Sequence, residues 1–399
     1  MDDLDHRSIG NRQDLFHQQE EGPGMIFWHP RGWALWQTVE NYIRARMRAA
    51  GYREIRTPQL LSRDLWRHSG HWDKFAHNMF CFDDGERSFA LKPMSCPGHI
   101  QIFNQRLRSH RELPIRYAEF GACHRFEPSG SLQGLMRTRA FVQDDAHVLC
   151  REDQVEEEVG NFCRLLAAVY RDFGFADIDV AFSTRPEERA GDDALWDRAE
   201  AMLENAARAA GLAFSRQPGE GAFYGPKLEF ILPDNRGRRW QCGTIQLDFV
   251  LPGRLGASYA TGGNDRAVPV MIHHAVLGSL ERFLAILLEH WDGRLPLWLA
   301  PDQVALLSLS DDVAPALNKA FDAFAGQGLR AVLDDGADSL SRKIAIAHGM
   351  GIPVMAVIGP RESRDGTVAL RWPGNRTEVM SLAAAVATVA DRARPPLLP

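Results

Sequence analysis

The sequence lacks the features of a disulfide-rich, membrane-spanning or strongly charged protein. Its 399 residues hold only six cysteines, and no two of them form a Cys-x-x-Cys pair, which favours a reducing compartment. The N-terminus carries no apolar signal segment, and the longest apolar run, residues 283–288, is far too short to span a membrane. The net charge is −6, so any contact with nucleic acid must rest on local basic patches. We therefore expect a cytoplasmic protein.

What remains is the composition of an ordinary globular protein of two or three domains, with 45% hydrophobic and 25% charged residues. Up to residue 294, strand-like segments joined by hairpins alternate with helical ones, which predicts a mostly antiparallel sheet with flanking helices, an α+β fold. Beyond this point short apolar strands alternate with helices, which predicts a parallel or mixed α/β sheet. The last of these helices is expected over residues 379–392. We expect two domains, 1–294 and 295–399.

An amphipathic helix is predicted near the N-terminus. Apolar residues Trp36, Val39, Ile43 and Met47 recur there at steps of three and four. Gly51 is expected to end this helix, and a strand over residues 52–58 is expected to follow.

Residues 117–150 predict two antiparallel strands joined by a polar, basic turn around residues 128–130. Such a hairpin would bring together a set of polar side chains: Arg125, Glu127, Arg137, Arg139, Gln143, Asp144, Asp145 and His147. Fixed charges on rigid strands below a mobile basic loop suit the binding of a triphosphate. A solvated hairpin whose arginines only pair with neighbouring acids fits this segment equally well.

Several separated segments resemble the threonyl-tRNA synthetase family of class II aminoacyl-tRNA synthetases. HRFEPSGSLQGLMRTRAFVQDDAH resembles motif 2 of that class, and GSLERF resembles motif 3. Other similar segments follow in the family's order: GPGMIFWHPRGW, LWRHSGHWDKF, LKPMSCPGH, FYGPKLEF, WQCGTIQLDF and VPVMIHHAVLGSLERF. The helix and strand over residues 33–58 resemble motif 1, which implies a homodimer. Residues 295–399 resemble the anticodon-binding domain that the threonyl, prolyl, histidyl and glycyl enzymes share.

The resemblance implies that ATP activates L-threonine to threonyl adenylate, which is then transferred to tRNA(Thr). Negative charge concentrates on the α-phosphoryl group in this reaction, so guanidinium groups and the Mg²⁺ that accompanies ATP are the useful catalysts. By resemblance the catalytic residues are Arg125, Arg282 and Lys227. The implied ATP-binding residues are Arg125, Glu127, Arg137, Phe141, Gln241, Thr244 and Arg282. For Arg282 a helix salt bridge with Glu281 or Glu289 is the alternative.

The resemblance also implies one Zn²⁺ per chain, held by Cys96, His147 and His273. Their spacing carries no local ligand signature, and without the family a lone cysteine beside Pro–Gly, such as Cys96, is more often a buried small hydrophobe. His99, His124, Cys242 and His274 would then be equally eligible ligands.

Zinc has a physical purpose in such a site. Threonine and valine are nearly isosteric, and an apolar pocket separates them poorly. Zinc with three protein ligands keeps positions open for the amino and hydroxyl groups that only threonine offers. The implied substrate-binding residues are Gln143 and Asp145 at the hydroxyl, Tyr224 and Gln246 near the amino group, Ala275 near the methyl group, and Met94.

Some features depart from the family or leave its function open. Phe126, Ala140, Ser95 and His274 stand where the family commonly has other residues. Residues 298–399 hold 10 Lys+Arg against 11 Asp+Glu, a balance of −1, which is unusual for a surface that reads RNA. Full-length threonyl enzymes resemble this chain only in their C-terminal part, so we expect no editing in cis and measurable activation of serine.

Two other functions remain compatible with the sequence. The chain could transfer threonine to a carrier-protein thiol or another acceptor instead of tRNA, or it could be a non-catalytic, tRNA-sensing module.

Overall fold

The structure of the chain, a computed structural model, describes residues 5–263 and 265–396. The helices are α1 His6–Arg12, α2 Pro30–Ala49, α3 Arg63–His68, α4 His71–Phe75, α5 Cys96–Phe103, α6 Val155–Asp172, α7 Asp193–Ala209, α8 Leu251–Arg254, α9 Leu280–His290, α10 Ala314–Gly326, α11 Leu340–Gly349, α12 Pro360–Asp365 and α13 Leu382–Arg392.

The strands are short in the first part of the chain and longer at its centre. They are β1 Phe16–His17, β2 Phe27–Trp28, β3 Arg53–Glu54, β4 Leu60–Ser62, β5 Cys81–Asp83, β6 Ser88–Leu91, β7 Arg108–Ser109, β8 Ile115–His124, β9 Ala140–Cys150, β10 Asp179–Ser183, β11 Ser215–Gln217, β12 Lys227–Pro233, β13 Arg239–Asp248, β14 Tyr259–Ala260, β15 Arg266–Ala267, β16 Val270–Ser279, β17 Val304–Ser308, β18 Ala331–Asp334, β19 Val354–Ile358, β20 Thr367–Trp372 and β21 Arg376–Ser381.

By compactness the described residues form two units. One comprises Gln19–Met25 and Ile43–Ile286, and the other comprises residues 5–18, Ile26–Tyr42 and the chain from Leu287 onward. The domain limits expected from the sequence, 1–294 and 295–399, stay a prediction.

An eight-stranded sheet forms the centre of the first unit, in the order β11-β10-β12-β13-β16-β9-β8-β3. All pairs from β10 across to β8 are antiparallel, and the two outermost pairs are parallel. The mostly antiparallel sheet predicted from the sequence is therefore confirmed. In the hairpin of β12 and β13, Asp234 accepts the backbone N–H groups of Arg236 and Arg238.

Helix α6 covers one face of this sheet. Its buried side chains Val159, Phe162, Leu166 and Val169 follow the helical repeat, and three glutamates in its first turn suit the positive end of the helix. The Phe162 ring lies 4.5 Å from the ring of His274 on β16. The opposite face of β16 and its neighbours is thereby left for polar side chains.

The second unit contains a five-stranded sheet in the order β18-β17-β19-β20-β21. Strands β18, β17 and β19 are parallel, and β20 and β21 extend the sheet as an antiparallel hairpin. Helices α10 and α13 pack on a core that includes Leu306, Ala356 and Leu370. This mixed α/β sheet matches the expectation for the C-terminal part.

Two local predictions were wrong. The strand expected over residues 52–58 pairs only at Arg53–Glu54, because the backbone N–H of Thr57 binds the carboxylate of Glu119 instead of the sheet. The closing helix, expected over 379–392, starts at Leu382, because residues 376–381 pair with β20. Within the described residues, every helix falls short of the length or the apolar character that a bilayer crossing requires.

Candidate active site and metal centre

The uncovered face of the central sheet carries two adjacent rows of side chains. The strand registers align one row as Lys227, Gln246, His273, His147 and Tyr117. The other row consists of Glu229, Thr244, Ala275, Asp145 and Glu119. Residues two apart on a strand face the same side, so the antiparallel pairing brings distant parts of the sequence onto one surface.

Cys96, His147 and His273 meet at one end of this surface. All three are buried, and one ligand atom from each lies within 4.8 Å of the others. Cys96 begins helix α5, while the two histidines face each other on neighbouring strands, with His147 Nε2 3.0 Å from His273 Nδ1. The structure thus brings together the three residues that the resemblance implies as metal ligands.

The two histidine rings are oriented by hydrogen bonds on their outer nitrogens. His273 Nε2 lies 2.8 Å from Asp248 Oδ2, and a carboxylate can only accept, so the proton resides on Nε2. His147 Nδ1 lies 2.8 Å from His99 Nδ1. With a proton on His147 Nδ1, both inner nitrogens present lone pairs to the same point, an arrangement that a cation stabilises. One sulfur and two imidazole nitrogens are a donor set that Zn²⁺ accepts.

Burial alone disfavours charge at this centre. It raises the pKa of the Cys96 thiol well above its usual value, with the Asp145 carboxylate adding to the effect. It also lowers the pKa of His147 well below its usual value, with His99 adding to the effect. A bound cation would reverse the penalty on a thiolate, because a metal-bound thiol is deprotonated.

Asp5, His6 and Glu289 form a second group with ligand atoms within 4.8 Å. Arg7 binds both carboxylate oxygens of Asp5 at 2.9 Å, and His6 Nδ1 lies 2.7 Å from Glu289 Oε1. The members of this group already contact one another and Arg7, so we assign no metal centre to it.

A cleft of about 1220 Å³ extends along the sheet, and a recess of about 450 Å³ that includes Cys96, His147 and His273 shares part of its lining. With the exception of Ala275, every other predicted site residue lines the cleft, the recess or both. These lining residues are Met94, Arg125, Glu127, Arg137, Phe141, Gln143, Asp145, Tyr224, Lys227, Gln241, Thr244, Gln246 and Arg282. Ala275 is buried on β16 opposite both Thr244 and Asp145.

Arg125 and Phe141 form one wall of the cleft. The Arg125 guanidinium lies 5.1 Å from the centre of the Phe141 ring, and its Nε donates to the carbonyl of Pro93 at 3.2 Å. Arg137, on the loop between β8 and β9, is exposed. A stacked arginine beside an exposed one can meet successive phosphates of a nucleotide.

Arg282 lies in the first turn of α9, and its guanidinium donates to the carbonyls of Met136 at 3.0 Å and Gln241 at 2.9 Å. It also stacks 5.6 Å from the Trp240 ring. Its neighbour Glu281 turns instead to the backbone N–H of Val142. These contacts replace the salt bridge with Glu281 that was the alternative for Arg282, and its positive charge faces the cleft.

Two buried carboxyl groups shape the turn that joins β16 to α9. Asp144 accepts the backbone N–H groups of Val276, Leu277 and Gly278 at 2.9 Å, yet burial raises its pKa to about 7. Burial likewise raises the pKa of Glu281 to about 8. Both groups hold backbone in place at the cleft.

The remaining polar residues form contacts among themselves. Tyr224 donates its hydroxyl to Gln246 Oε1 at 2.6 Å, and Lys227 Nζ lies 2.9 Å from Glu229 Oε1. The buried Thr244 Oγ1 makes no hydrogen bond to the described residues. Asp145 accepts the backbone N–H of Ser95 at 3.2 Å, and burial raises its pKa.

Sequence reasoning missed the residues that surround the candidate metal centre. Asp248 contacts His273, Glu119 reaches His147 through the ring of His99, and Lys92 binds Glu119. His71 Nε2 lies 3.7 Å from Cys96 Sγ. No spacing pattern links them, since they come from different strands and helices. Of the other eligible ligands, His99 contacts His147, whereas His274 lies on the opposite face of β16, against Phe162.

His124 and Cys242 lie away from the three candidate ligands. His124 ends β8 and pairs with Ala140 in the hairpin. Cys242 is buried beneath the cleft, where burial raises its thiol pKa to about 12. Neither therefore replaces a ligand of the centre.

Two family models match the chain. The tRNA synthetase class II core domain (G, H, P, S and T) matches residues 76–291, and the anticodon binding domain matches residues 303–392. The first match covers every strand of the central sheet except β3, and the second covers the C-terminal sheet.

Among curated relatives, the threonine–tRNA ligase of Rhodospirillum rubrum is 52% identical over 393 residues, which cover 98% of this chain and 61% of the relative. The threonine–tRNA ligase of a Caulobacter species is 53% identical over 394 residues and is covered to 60%. The chain thus spans about three fifths of the length of the curated relatives it matches. A solved structure, the RNA binding domain of threonyl-tRNA synthetase from Cryptosporidium parvum, is 39% identical with a TM-score of 0.94, covering 97% of this chain and 98% of that one.

Proposed function

Because the chain belongs to the class II aminoacyl-tRNA synthetases, in the threonyl-tRNA synthetase family, we propose that it activates L-threonine with ATP and transfers it to tRNA(Thr). The observation that carries this proposal is the convergence of Cys96, His147 and His273 at the end of an arginine-lined cleft. An adenylate-forming cleft beside a nitrogen-and-sulfur metal site suits an amino acid that can chelate a metal.

In the activation step a carboxylate oxygen of threonine attacks the α-phosphorus of ATP, and pyrophosphate leaves. Arg125 would neutralise the α-phosphate and orient the carboxylate, while Arg282 and Arg137 would meet the γ-phosphate. Their positions in one cleft support this assignment, since the reaction needs positioned positive charge and no protein nucleophile. Lys227 would add its charge near the reacting carboxyl group, and Mg²⁺ would accompany the ATP phosphates.

The adenosine part of ATP would lie between Phe141 and Arg282. Glu127 would accept from the adenine amino group, and the Phe141 ring would stack on the base. Gln241 and Thr244 would contact the ribose and the phosphates. The Thr244 hydroxyl, which is buried without a hydrogen bond to the described residues, is a group that a bound substrate could satisfy.

We assign zinc to Cys96, His147 and His273. When bound there, Zn²⁺ would accept the amino and hydroxyl groups of threonine, a pair of donors that valine lacks. Around it, Asp145 and Gln143 would orient the hydroxyl group. The Tyr224–Gln246 pair would lie near the amino group, and Ala275 and Met94 would limit the space for the methyl group.

Threonine-dependent ATP–pyrophosphate exchange without tRNA tests the activation step. We expect exchange with threonine and none above background with valine. Serine keeps both donors and loses one methyl group, so its kcat/KM should be on the order of 10- to 200-fold lower. Equal exchange with valine and threonine would refute the proposed role of the metal centre.

Charging of total tRNA with labelled threonine then tests the acceptor. We expect threonyl-tRNA to accumulate, because an anticodon binding domain matches residues 303–392. Exchange without charging would instead favour a carrier-protein thiol as the acceptor. We also expect a polypeptide of these 399 residues to leave seryl-tRNA intact in a deacylation assay, whereas clearance of seryl-tRNA would show editing in cis.

We further propose a homodimer that pairs through the segment resembling motif 1, and domains at 1–294 and 295–399. The dimer rests on the resemblance of α2 and β3 to motif 1. Light scattering of the purified chain would distinguish a mass near 44.7 kDa from twice that value.

A further inference from the structure

A buried chain of hydrogen bonds leads from the candidate metal centre to a lysine. His147 Nδ1 lies 2.8 Å from His99 Nδ1, and His99 Nε2 lies 3.1 Å from Glu119 Oε2. The other carboxylate oxygen, Glu119 Oε1, accepts from Lys92 Nζ at 2.9 Å. His99, Glu119 and Lys92 are each less than 5% exposed. Such complete burial of three titratable groups requires each to have a defined partner.

The position of the proton in each of these hydrogen bonds follows from the Glu119 carboxylate. Glu119 can only accept, and Thr57 completes its coordination by donating its backbone N–H to Oε1 and its hydroxyl to Oε2. In its neutral form, His99 must therefore carry its proton on Nε2 and present a lone pair on Nδ1. This lone pair in turn requires the proton of His147 to reside on Nδ1. His147 Nε2 is then a lone-pair donor that faces His273 Nδ1, 3.0 Å away.

We propose that Glu119 and His99 are positioning residues that fix His147 in the tautomer able to bind a metal through Nε2. Asp248 likewise holds the proton of His273 on Nε2, which leaves His273 Nδ1 able to bind the metal. Lys92 and Thr57 hold the Glu119 carboxylate in the orientation that His99 needs. The inference rests on the proposed function, since it concerns the zinc assigned to Cys96, His147 and His273.

Glu119→Gln provides a sharp test, because the amide must place its NH₂ group at one of the two oxygen positions. At the Oε1 position it would oppose two donors, Lys92 Nζ and the backbone N–H of Thr57. At the Oε2 position it meets the Thr57 hydroxyl and His99, both of which can accept. The amide therefore donates to His99 Nε2, His99 Nδ1 takes the proton, and the His147 proton shifts to Nε2. The lone pair that should bind the metal is lost.

Zinc affinity of the full chain, measured by competition with a chromophoric chelator, is the primary readout. We expect Glu119→Gln to weaken zinc binding by about 10- to 100-fold, as is usual when a group that orients a metal ligand is changed. Glu158→Gln is the matched control. Glu158 is 4% exposed, as is Glu119, but it pairs with Arg116 and takes no part in the hydrogen bonds that lead to His147. The Glu158→Gln substitution should therefore leave zinc affinity unchanged.

His99→Asn separates transmission through His99 from general damage. The asparagine carbonyl can accept the proton of His147 Nδ1 in place of the imidazole nitrogen, but it no longer reaches Glu119. We expect this variant to lose less zinc affinity than Glu119→Gln. Adding Glu119→Gln to His99→Asn should then cause no further loss. An equal loss from Glu119→Gln in both backgrounds would overturn the proposal.

A measurement on the unaltered chain covers the case in which a variant does not fold. In zinc-free protein with ¹⁵N-labelled histidine, two-bond ¹H–¹⁵N spectra report the tautomer of each ring. We expect His147 protonated on Nδ1 and His99 on Nε2, and the reverse pattern would contradict the inference. A wild-type chain that binds no zinc would refute the zinc assignment itself. Normal zinc binding by both wild type and Glu119→Gln would refute only the positioning role.

Discussion

Arg282 is held at the cleft by backbone carbonyls. Its Nε and Nη1 donate to Met136 and Gln241, so the position of the guanidinium is fixed, while no carboxylate of the described residues forms a salt bridge with it. Burial lowers its pKa, which reflects the cost of keeping this charge away from water. An anionic substrate would relieve that cost, as expected for a group that acts on a nucleotide.

Arg282→Lys should therefore reduce threonine-dependent pyrophosphate exchange on the order of 10²- to 10³-fold, because a single ammonium group cannot hold both carbonyls and face a phosphate. Steady-state exchange kinetics give the loss. Arg330→Lys is the control, since Arg330 also donates to backbone carbonyls, those of Ala300 and Trp298, but in the C-terminal sheet domain. Equal losses in both variants would show that buried arginines act only through stability.

Glu281 predicts a pH dependence of stability. Burial raises its pKa from 4.5 to about 8 in the folded chain, so the folded state holds this proton more tightly than the unfolded state. Its contribution to stability is full below pH 4.5 and is lost as the pH rises through about 8. Glu281→Gln cannot ionise. The free energy of unfolding of Glu281→Gln minus that of wild type should therefore increase as the pH rises from 4.5 to about 8. The increase should be at most about 1.4 kcal/mol per pH unit.

Urea unfolding at pH 6 and pH 8 measures this difference for both proteins. The comparison cancels the other titrating groups, which the two chains share. A constant difference between wild type and Glu281→Gln at the two pH values would contradict the raised pKa.

At the scale of elements, strands supply the site and one turn completes it. The two strands of the 117–150 hairpin were predictable from the sequence, and the structure confirms the pairing of β8 with β9. The registers of β16 and β13 were not predictable from the residues, because no local pattern specifies which distant strand pairs with which. The short β3 was mispredicted because the side chain of Glu119 competes with the sheet for the Thr57 backbone.

Gly278 illustrates why the motif 3 turn tolerates little change. It has a φ of +76°, and a Cβ atom there would lie 2.4 Å from the carbonyl oxygen of Cys242. Gly278→Ala should cost about 1–2 kcal/mol for the left-handed backbone and roughly 1–3 kcal/mol more for the overlap. It should also displace Arg282 and lower pyrophosphate exchange.

Gly211→Ala is the matched control in urea unfolding. Gly211 has a φ of +73° with open space around it, so only the backbone cost applies. If both variants lose the same stability, the close approach to Cys242 has no energetic consequence.

At the scale of the whole molecule, the fold class and the candidate site came from different kinds of sequence information. Periodicity alone predicted an antiparallel sheet followed by a mixed one, and both were found. Cys96, His147 and His273 are 51 and 126 residues apart, so only family resemblance could group them. Neither approach predicted Glu119 or Asp248 at the centre, because their contacts depend on the complete tertiary arrangement.

The zinc content of the purified chain, determined by mass spectrometry of the element, tests the central claim most directly. The account predicts about one zinc ion per wild-type chain and far less in Cys96→Ser, because a three-ligand site loses its thiolate. A wild-type chain that activates threonine but contains no zinc would contradict it.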